Sequence, residues 1–183
     1  MSHADKMLKI IEELADKKSL PIVGPEKGKI LVNVLREVKP KRLLEIGALI
    51  GYSTILMGKE LDSDAQIITI EIDEGEAKIA EDNIKTAKIK PNIEVIVGDA
   101  LKIIPKLEGE FDFVFIDAAK REYMKYLKLI EDKLHKGSII VADNAGIFAQ
   151  SMKLYLEYVR SSKNYKSKFV AVGNDGLEIS TKV

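Results

Sequence analysis

Leu43-Leu44-Glu45-Ile46-Gly47-Ala48-Leu49-Ile50-Gly51-Tyr52-Ser53 is an apolar run that closes on an acid, then two glycines and the start of an amphipathic segment. That order reads as strand, tight turn and helix N-terminus. Glycine removes the Cβ atoms that would keep a ligand off the backbone, and the free N–H groups opening a helix are donors for a bound group. The dinucleotide fingerprint G-x-G-x-x-G is incomplete, because Ala48, Leu49 and Ile50 separate Gly47 from Gly51. By itself the turn serves equally as a plain connection. The surrounding pattern has to decide.

Outward from this stretch, short apolar runs alternate with longer amphipathic ones. Strands are expected at 42–46, 66–70, 93–97, 111–116, 138–142, 168–172 and 177–181, with helices at 52–61, 74–87, 100–107, 122–134 and 149–162. Strands that alternate with helices require right-handed crossovers and a parallel sheet covered on both faces. Only Gly173-Asn174-Asp175-Gly176 separates the last two strands, and this is hairpin chemistry, so the final strand should run antiparallel to its partner. Upstream, Met7, Leu8, Ile11 and Leu14 lie at helical spacing, as do Ile30, Leu31, Val34, Leu35 and Val38 after Pro25, and Pro40 stops the second run. The expected architecture is α/β: a seven-stranded, mostly parallel sheet with helices on both faces. Residues 1–40 add N-terminal helices to a core over 41–183, all within one domain.

Composition agrees with that class and removes several kinds of chemistry. The 183 residues suffice for one core. Aromatics are few, Trp is absent, and Lys plus Arg total 29 against 29 Asp plus Glu, so no global basic field would hold a polyanion. Without cysteine there are no disulfides, thiolate metal sites or Cys nucleophile. His3 and His135 are the only histidines, too few for the usual zinc site and poor material for a Ser-His-Asp triad. Catalysis must then use carboxylates, lysine, tyrosine or a hard metal. No apolar run reaches membrane-spanning length and no secretory signal opens the chain, so a soluble cytoplasmic protein with no membrane partner is expected.

Open α/β sheets bind ligands beyond the carboxyl ends of their strands. Here those ends carry Glu45 and Gly47, Glu71 and Asp73, Asp99, Asp117, and Asp143 with Asn144, an acid at every one of the first five. Asp73 and Asp99 each directly precede a helix and read equally well as caps. Glu71, 20 residues beyond Gly51, sits where such folds accept hydrogen bonds from a ribose diol. If strands four and five are neighbours, their tips lie about 5 Å apart. Asp117, Asp143 and Asn144 could then converge as hard oxygen ligands for Mg²⁺ or Ca²⁺. The alternative is that Asp143-Asn144 opens a turn and Asp117 caps a helix. Lys120 follows Asp117 by three residues. A lysine near a divalent cation loses its charge more readily and can serve as a base, whereas without a metal it is ordinary surface.

These residues resemble the class I S-adenosylmethionine-dependent methyltransferases, and within them the metal-dependent O-methyltransferases related to catechol and caffeoyl-CoA O-methyltransferase. The resemblance rests on Leu44-Glu45-Ile46-Gly47 through Gly51-Tyr52-Ser53, on Ile68 to Asp73, on Phe113 to Lys120 and on Ala142-Asp143-Asn144. It implies a Rossmann-like fold. It places Glu45, Gly47 and Ser53 at the methionine moiety of S-adenosylmethionine, Glu71 at the ribose, and Asp99 with Ala100 at the adenine, with Gly51 and Asp117 also in the cofactor site. Asp117, Asp143 and Asn144 would hold Mg²⁺, and Lys120 would take the proton from one hydroxyl of a vicinal diol. The short N-terminal helices, the brief connection after Asn144 and the absence of Trp imply an open pocket. The acceptor is expected to be a catechol-like or hydroxylated aromatic small molecule. A hydroxylated tRNA nucleoside is the second reading, with Lys27, Lys29, Lys120, Arg121 and Lys125 as a basic rim. A nucleotide-binding or dimerisation module without chemistry is the third, and a nicotinamide dehydrogenase the weakest. Bacterial proteins of this kind suggest a homodimer.

Overall fold

The computed structural model describes residues 1–183. Two helices come first, α1 (His3–Lys18) and α2 (Gly24–Val38), followed by β1 (Arg42–Ile46), α3 (Tyr52–Gly58), β2 (Gln66–Glu71), α4 (Glu74–Ala87) and β3 (Asn92–Val97). The second half contains α5 (Ala100–Ile103), β4 (Phe111–Ile116), α6 (Tyr123–Ile130), β5 (Leu134–Ala142), α7 (Lys153–Ser161), β6 (Tyr165–Val172) and β7 (Asp175–Lys182). The seven strands form one sheet in the order β3-β2-β1-β4-β5-β7-β6. β1 to β5 pair in parallel, and β7 inserts antiparallel between β5 and β6. The last strand is therefore antiparallel, as its turn chemistry requires, and it also separates the two strands that precede it.

Successive side chains of a strand point to opposite faces, and here both faces are covered. Leu43, Ile67, Phe113, Phe115, Val141, Leu177 and Ile179 pack into a cluster with α1, α2 and α3. Their neighbours Leu44, Ile46, Ile68, Ile70, Val114, Ile116, Ile140 and Ala142 pack into a second cluster with α6 and α7. Two buried faces explain why the central strands read as unbroken apolar runs. The N-terminal helices belong to the first layer: the Tyr52 hydroxyl donates to Glu12 at 2.5 Å and Lys59 pairs with Asp5 at 3.0 Å. No helix is long and apolar enough to cross a membrane.

Several expected boundaries move. β5 begins at Leu134, not 138, so His135 lies in a strand just beyond the 3-10 turn that ends at Lys133. α3 stops at Gly58, and the expected helix 100–107 is a four-residue helix followed by a 3-10 turn over Ile104–Lys106. α7 begins only at Lys153, so a chain of turns runs from Asp143 to Met152 where a short link was expected.

Candidate functional site

Strand order reverses between β1 and β4, and the carboxyl ends of β1 to β5 open there into a cavity of about 520 Å³. Its size is that of a small-molecule site, and its place is where open α/β sheets put one. Backbone bonds step from tip to tip: Gly47 N–H donates to Ile70 O, Gly98 N–H to Glu71 O, Asp117 N–H to Ile46 O and Asp143 N–H to Ile116 O, each at 2.8–2.9 Å. Adjacent tips are therefore held in register just where their side chains leave the sheet. Gly47 makes the tightest of these approaches. Its φ is +99°, and a Cβ there would lie 2.1 Å from Asp117 O, so only glycine allows the turns after β1 and β4 to close together.

Gly47, Ser53, Glu71, Asp99, Ala100, Asp117, Lys120, Asp143 and Asn144 all line this one cavity. Two expected cofactor residues do not. Gly51 lies behind the wall, where its left-handed backbone (φ +85°) starts α3 and a Cβ would press on the Ala80 backbone at 3.3 Å; it serves helix packing. Glu45 lies beneath the floor, fully buried. The Thr54 and Thr69 hydroxyls both donate to its Oε2, and Oε1 has no partner. Burial raises its carboxyl to about 7 against those hydrogen bonds.

Glu71 is almost buried at the tip of β2 and accepts from Leu49 N–H at 2.7 Å and Asp73 N–H at 3.0 Å, which fixes its carboxylate on the cavity wall. Asp73 and Asp99 are helix caps, accepting from Glu76 N–H at 2.8 Å and Leu101 N–H at 2.9 Å. Asp99 also lines the cavity, so the cap and a place at the opening are compatible.

β4 and β5 are neighbours, and Asp117 and Asp143 each follow one residue of the pair Ile116 and Ala142. Burial and then the Asp117 charge raise the Asp143 carboxyl to about 7, while Lys27 opposes the shift. Lys27 was a candidate for a basic rim only under the tRNA reading, and otherwise a solvated surface lysine. It is instead almost enclosed, bridging Asp143 Oδ1 at 2.5 Å and Asp175 Oδ2 at 2.9 Å. Burial works against its charge, yet the two carboxylates outweigh that and raise its pKa. The Asn144 side-chain amide donates to Asp175 at 2.8 Å. Lys120 donates to Asp117 Oδ1 at 2.7 Å and to the Tyr123 hydroxyl at 3.0 Å. That buried hydroxyl in turn donates to Ile116 O at 3.0 Å.

Most of the remaining wall is apolar, Glu122 excepted. Pro21, Ile22 and Val23 come from the link between α1 and α2, and Ile147 and Phe148 from the turns after β5. Phe148 and Tyr126 supply aromatic surface that the sequence reading did not assign to the pocket.

A family model described as O-methyltransferase matches residues 2–156. The chain is 36% identical over 171 residues to catechol O-methyltransferase B of Danio rerio, covering 86% of this chain and 64% of that protein. It is 37% identical over 126 residues to a catechol O-methyltransferase of Niastella koreensis, covering 67% of this chain and 57% of that one. The matched part is thus under two thirds of these relatives' own lengths. Among solved structures, the O-methyltransferase from Bacillus cereus in complex with SAH superposes with TM-score 0.87 at 26% identity, over 97% of this chain and 91% of that one. TomG from Streptomyces achromogenes, in complex with SAM, gives TM-score 0.88 at 26% identity, over 97% and 89%.

Proposed function

The chain belongs to the O-methyltransferase family, and from that premise we propose that it transfers a methyl group from S-adenosylmethionine to one hydroxyl of a vicinal diol, with a hard divalent cation at Asp117, Asp143 and Asn144. One observation carries this reading: two carboxylates and an amide from adjoining strand tips share a cavity with Lys120. The donor set suits a hard cation, being all oxygen and net negative. The Lys27 ammonium already on Asp143 stands in for a positive charge at that carboxylate.

When bound, S-adenosylmethionine supplies an electrophilic methyl and the divalent cation supplies charge that offsets a developing oxyanion. The protein's own groups do the rest. Glu71, pinned by two backbone amides, offers its carboxylate to the ribose hydroxyls, and Asp99 and Ala100 border the adenine end. Ser53 and the Gly47 turn border the methionine end, with Glu45 supporting the floor from below through Thr54 and Thr69. Lys120 receives the hydroxyl proton at Nζ. Asp117 and Tyr123 keep that Nζ in place. The acceptor oxygen then takes the methyl as the carbon–sulfur bond breaks, leaving a thioether and requiring no covalent enzyme intermediate. Ile147, Phe148 and Pro21 to Val23 would meet the apolar body of the acceptor.

The test is methyl transfer from a labelled donor to catechol, phenol, and unmodified or hydroxylated tRNA in the presence of Mg²⁺. Catechol methylated well above phenol is the expected result. Transfer to hydroxylated tRNA alone, weakening with salt, would replace the small-molecule acceptor with RNA.

A further inference from the structure

Asp175, the first residue of β7, contributes a side chain to this site that hairpin chemistry alone does not explain. Asp175 accepts four hydrogen bonds from other parts of the chain: Lys27 Nζ at 2.9 Å, Asn144 Nδ2 at 2.8 Å, and the Gly146 and Ile147 amides at 3.2 Å each. A turn residue that merely shaped its hairpin would bond its own neighbours. The loop it grips starts at Asn144, whose backbone is left-handed at φ +61°, a conformation asparagine tolerates better than most residues. The two segments are also in close steric contact: a Cβ on Gly146 would lie 2.7 Å from the Asp175 Cα, and Ala145 N–H donates to Gly176 O at 3.1 Å.

Resting on the cation site proposed above, we propose that Asp175 is a positioning residue for that site, acting through Asn144 and Lys27. Donation of the Asn144 amide nitrogen to Asp175 commits that end of the side chain and reserves its carbonyl oxygen for a cation. The second action is electrostatic. Lys27 and a divalent ion compete for the Asp143 carboxylate, and Asp175 gives the ammonium another partner when Asp143 is engaged. Removing Asp175 frees the Asn144 side chain to rotate and leaves Asp143 as the only carboxylate paired with Lys27. Groups that orient a metal's ligands are worth roughly 10–100-fold in metal affinity.

Mn²⁺ binding to the full chain at saturating S-adenosylhomocysteine, followed by electron paramagnetic resonance, tests this without turnover; the nucleoside's own affinity is measured by calorimetry without metal. Asp175→Ala should weaken Mn²⁺ binding by about 10–100-fold and leave nucleoside affinity as in the unaltered protein. Adding Lys27→Met to Asp175→Ala should recover part of the loss, since the competing ammonium is gone. Asp175→Asn keeps an acceptor for Asn144 and should fall between. Mn²⁺ affinity unchanged in Asp175→Ala, or nucleoside and Mn²⁺ affinity falling together in both Asp175 variants, would overturn the proposal. An unaltered chain that binds no Mn²⁺ would overturn the cation site itself, a result distinct from either.

Discussion

Lys120 is held by Asp117 on one side and Tyr123 on the other, so its Nζ is fixed before any acceptor enters. A positioned base contributes about 10²–10⁴-fold. Lys120→Ala is therefore expected to lower the rate at least about a hundredfold with S-adenosylhomocysteine affinity intact by calorimetry; an unchanged rate would remove Lys120 from the mechanism. Gly47→Ala is a different kind of lesion. The new Cβ meets Asp117 O on a backbone at φ +99°, so thermal melting should show a loss of about 2 kcal/mol or more, with cofactor binding lost as well. At this scale the sequence was legible where residue type and strand-tip position coincide, as for Glu71, Asp117, Asp143 and Asn144. It was silent on partners brought in from far along the chain. Lys27 lies 116 residues from Asp143 and reads as one more surface lysine, while Asp175 is hidden in a turn whose composition already explains it. For Gly51 the difficulty is different: helix packing and ligand approach both require a missing Cβ, and sequence does not say which.

Elements were read well where burial is continuous and poorly where the chain leaves regular geometry. β1 and β4 have the expected bounds because both faces are covered. β5 extends back to Leu134 because its pairing with β4 shifts register between Phe111 and Phe113, a feature hydrophobic periodicity does not report. The turns before α7 carry single helical bonds, Phe148 N–H to Asn144 O and Met152 N–H to Phe148 O, and so mimic the pattern of a helix. The β5 extension also brings His135 to Asp112, with Nε2 at 2.9 Å from its Oδ1. The Lys136 carbonyl and then Asp112 raise the His135 pKa above its ordinary 6.5. For a folded pKa above the unfolded one, the added stability is complete below the unfolded value and vanishes as pH rises through the folded value. The melting temperature of the unaltered protein should thus exceed that of His135→Gln by more at pH 5.5 than at pH 8.5. An equal difference at both would show that the pair contributes nothing when charged.

The whole molecule is one seven-stranded sheet with a helical layer on each face and the cavity at its switch point. The class followed from alternating strand and helix patterns, and the antiparallel end from Gly173-Asn174-Asp175-Gly176. The insertion of β7 between β5 and β6 did not, because adjacency between distant strands is written in pairing and not in local composition. That insertion carries Asp175 to the Asn144 loop, where the cation is proposed to bind. The layer formed by α1 and α2 also brings Lys27 and Pro21 to Val23 to the same opening. Fold and proposed chemistry therefore meet in a dependence on a hard cation between β4 and β5. The direct measurement is methyl transfer from S-adenosylmethionine to catechol, first with EDTA and then with excess Mg²⁺ restored. Transfer abolished by the chelator and recovered with Mg²⁺ is the predicted result; transfer that continues undiminished in EDTA would contradict it.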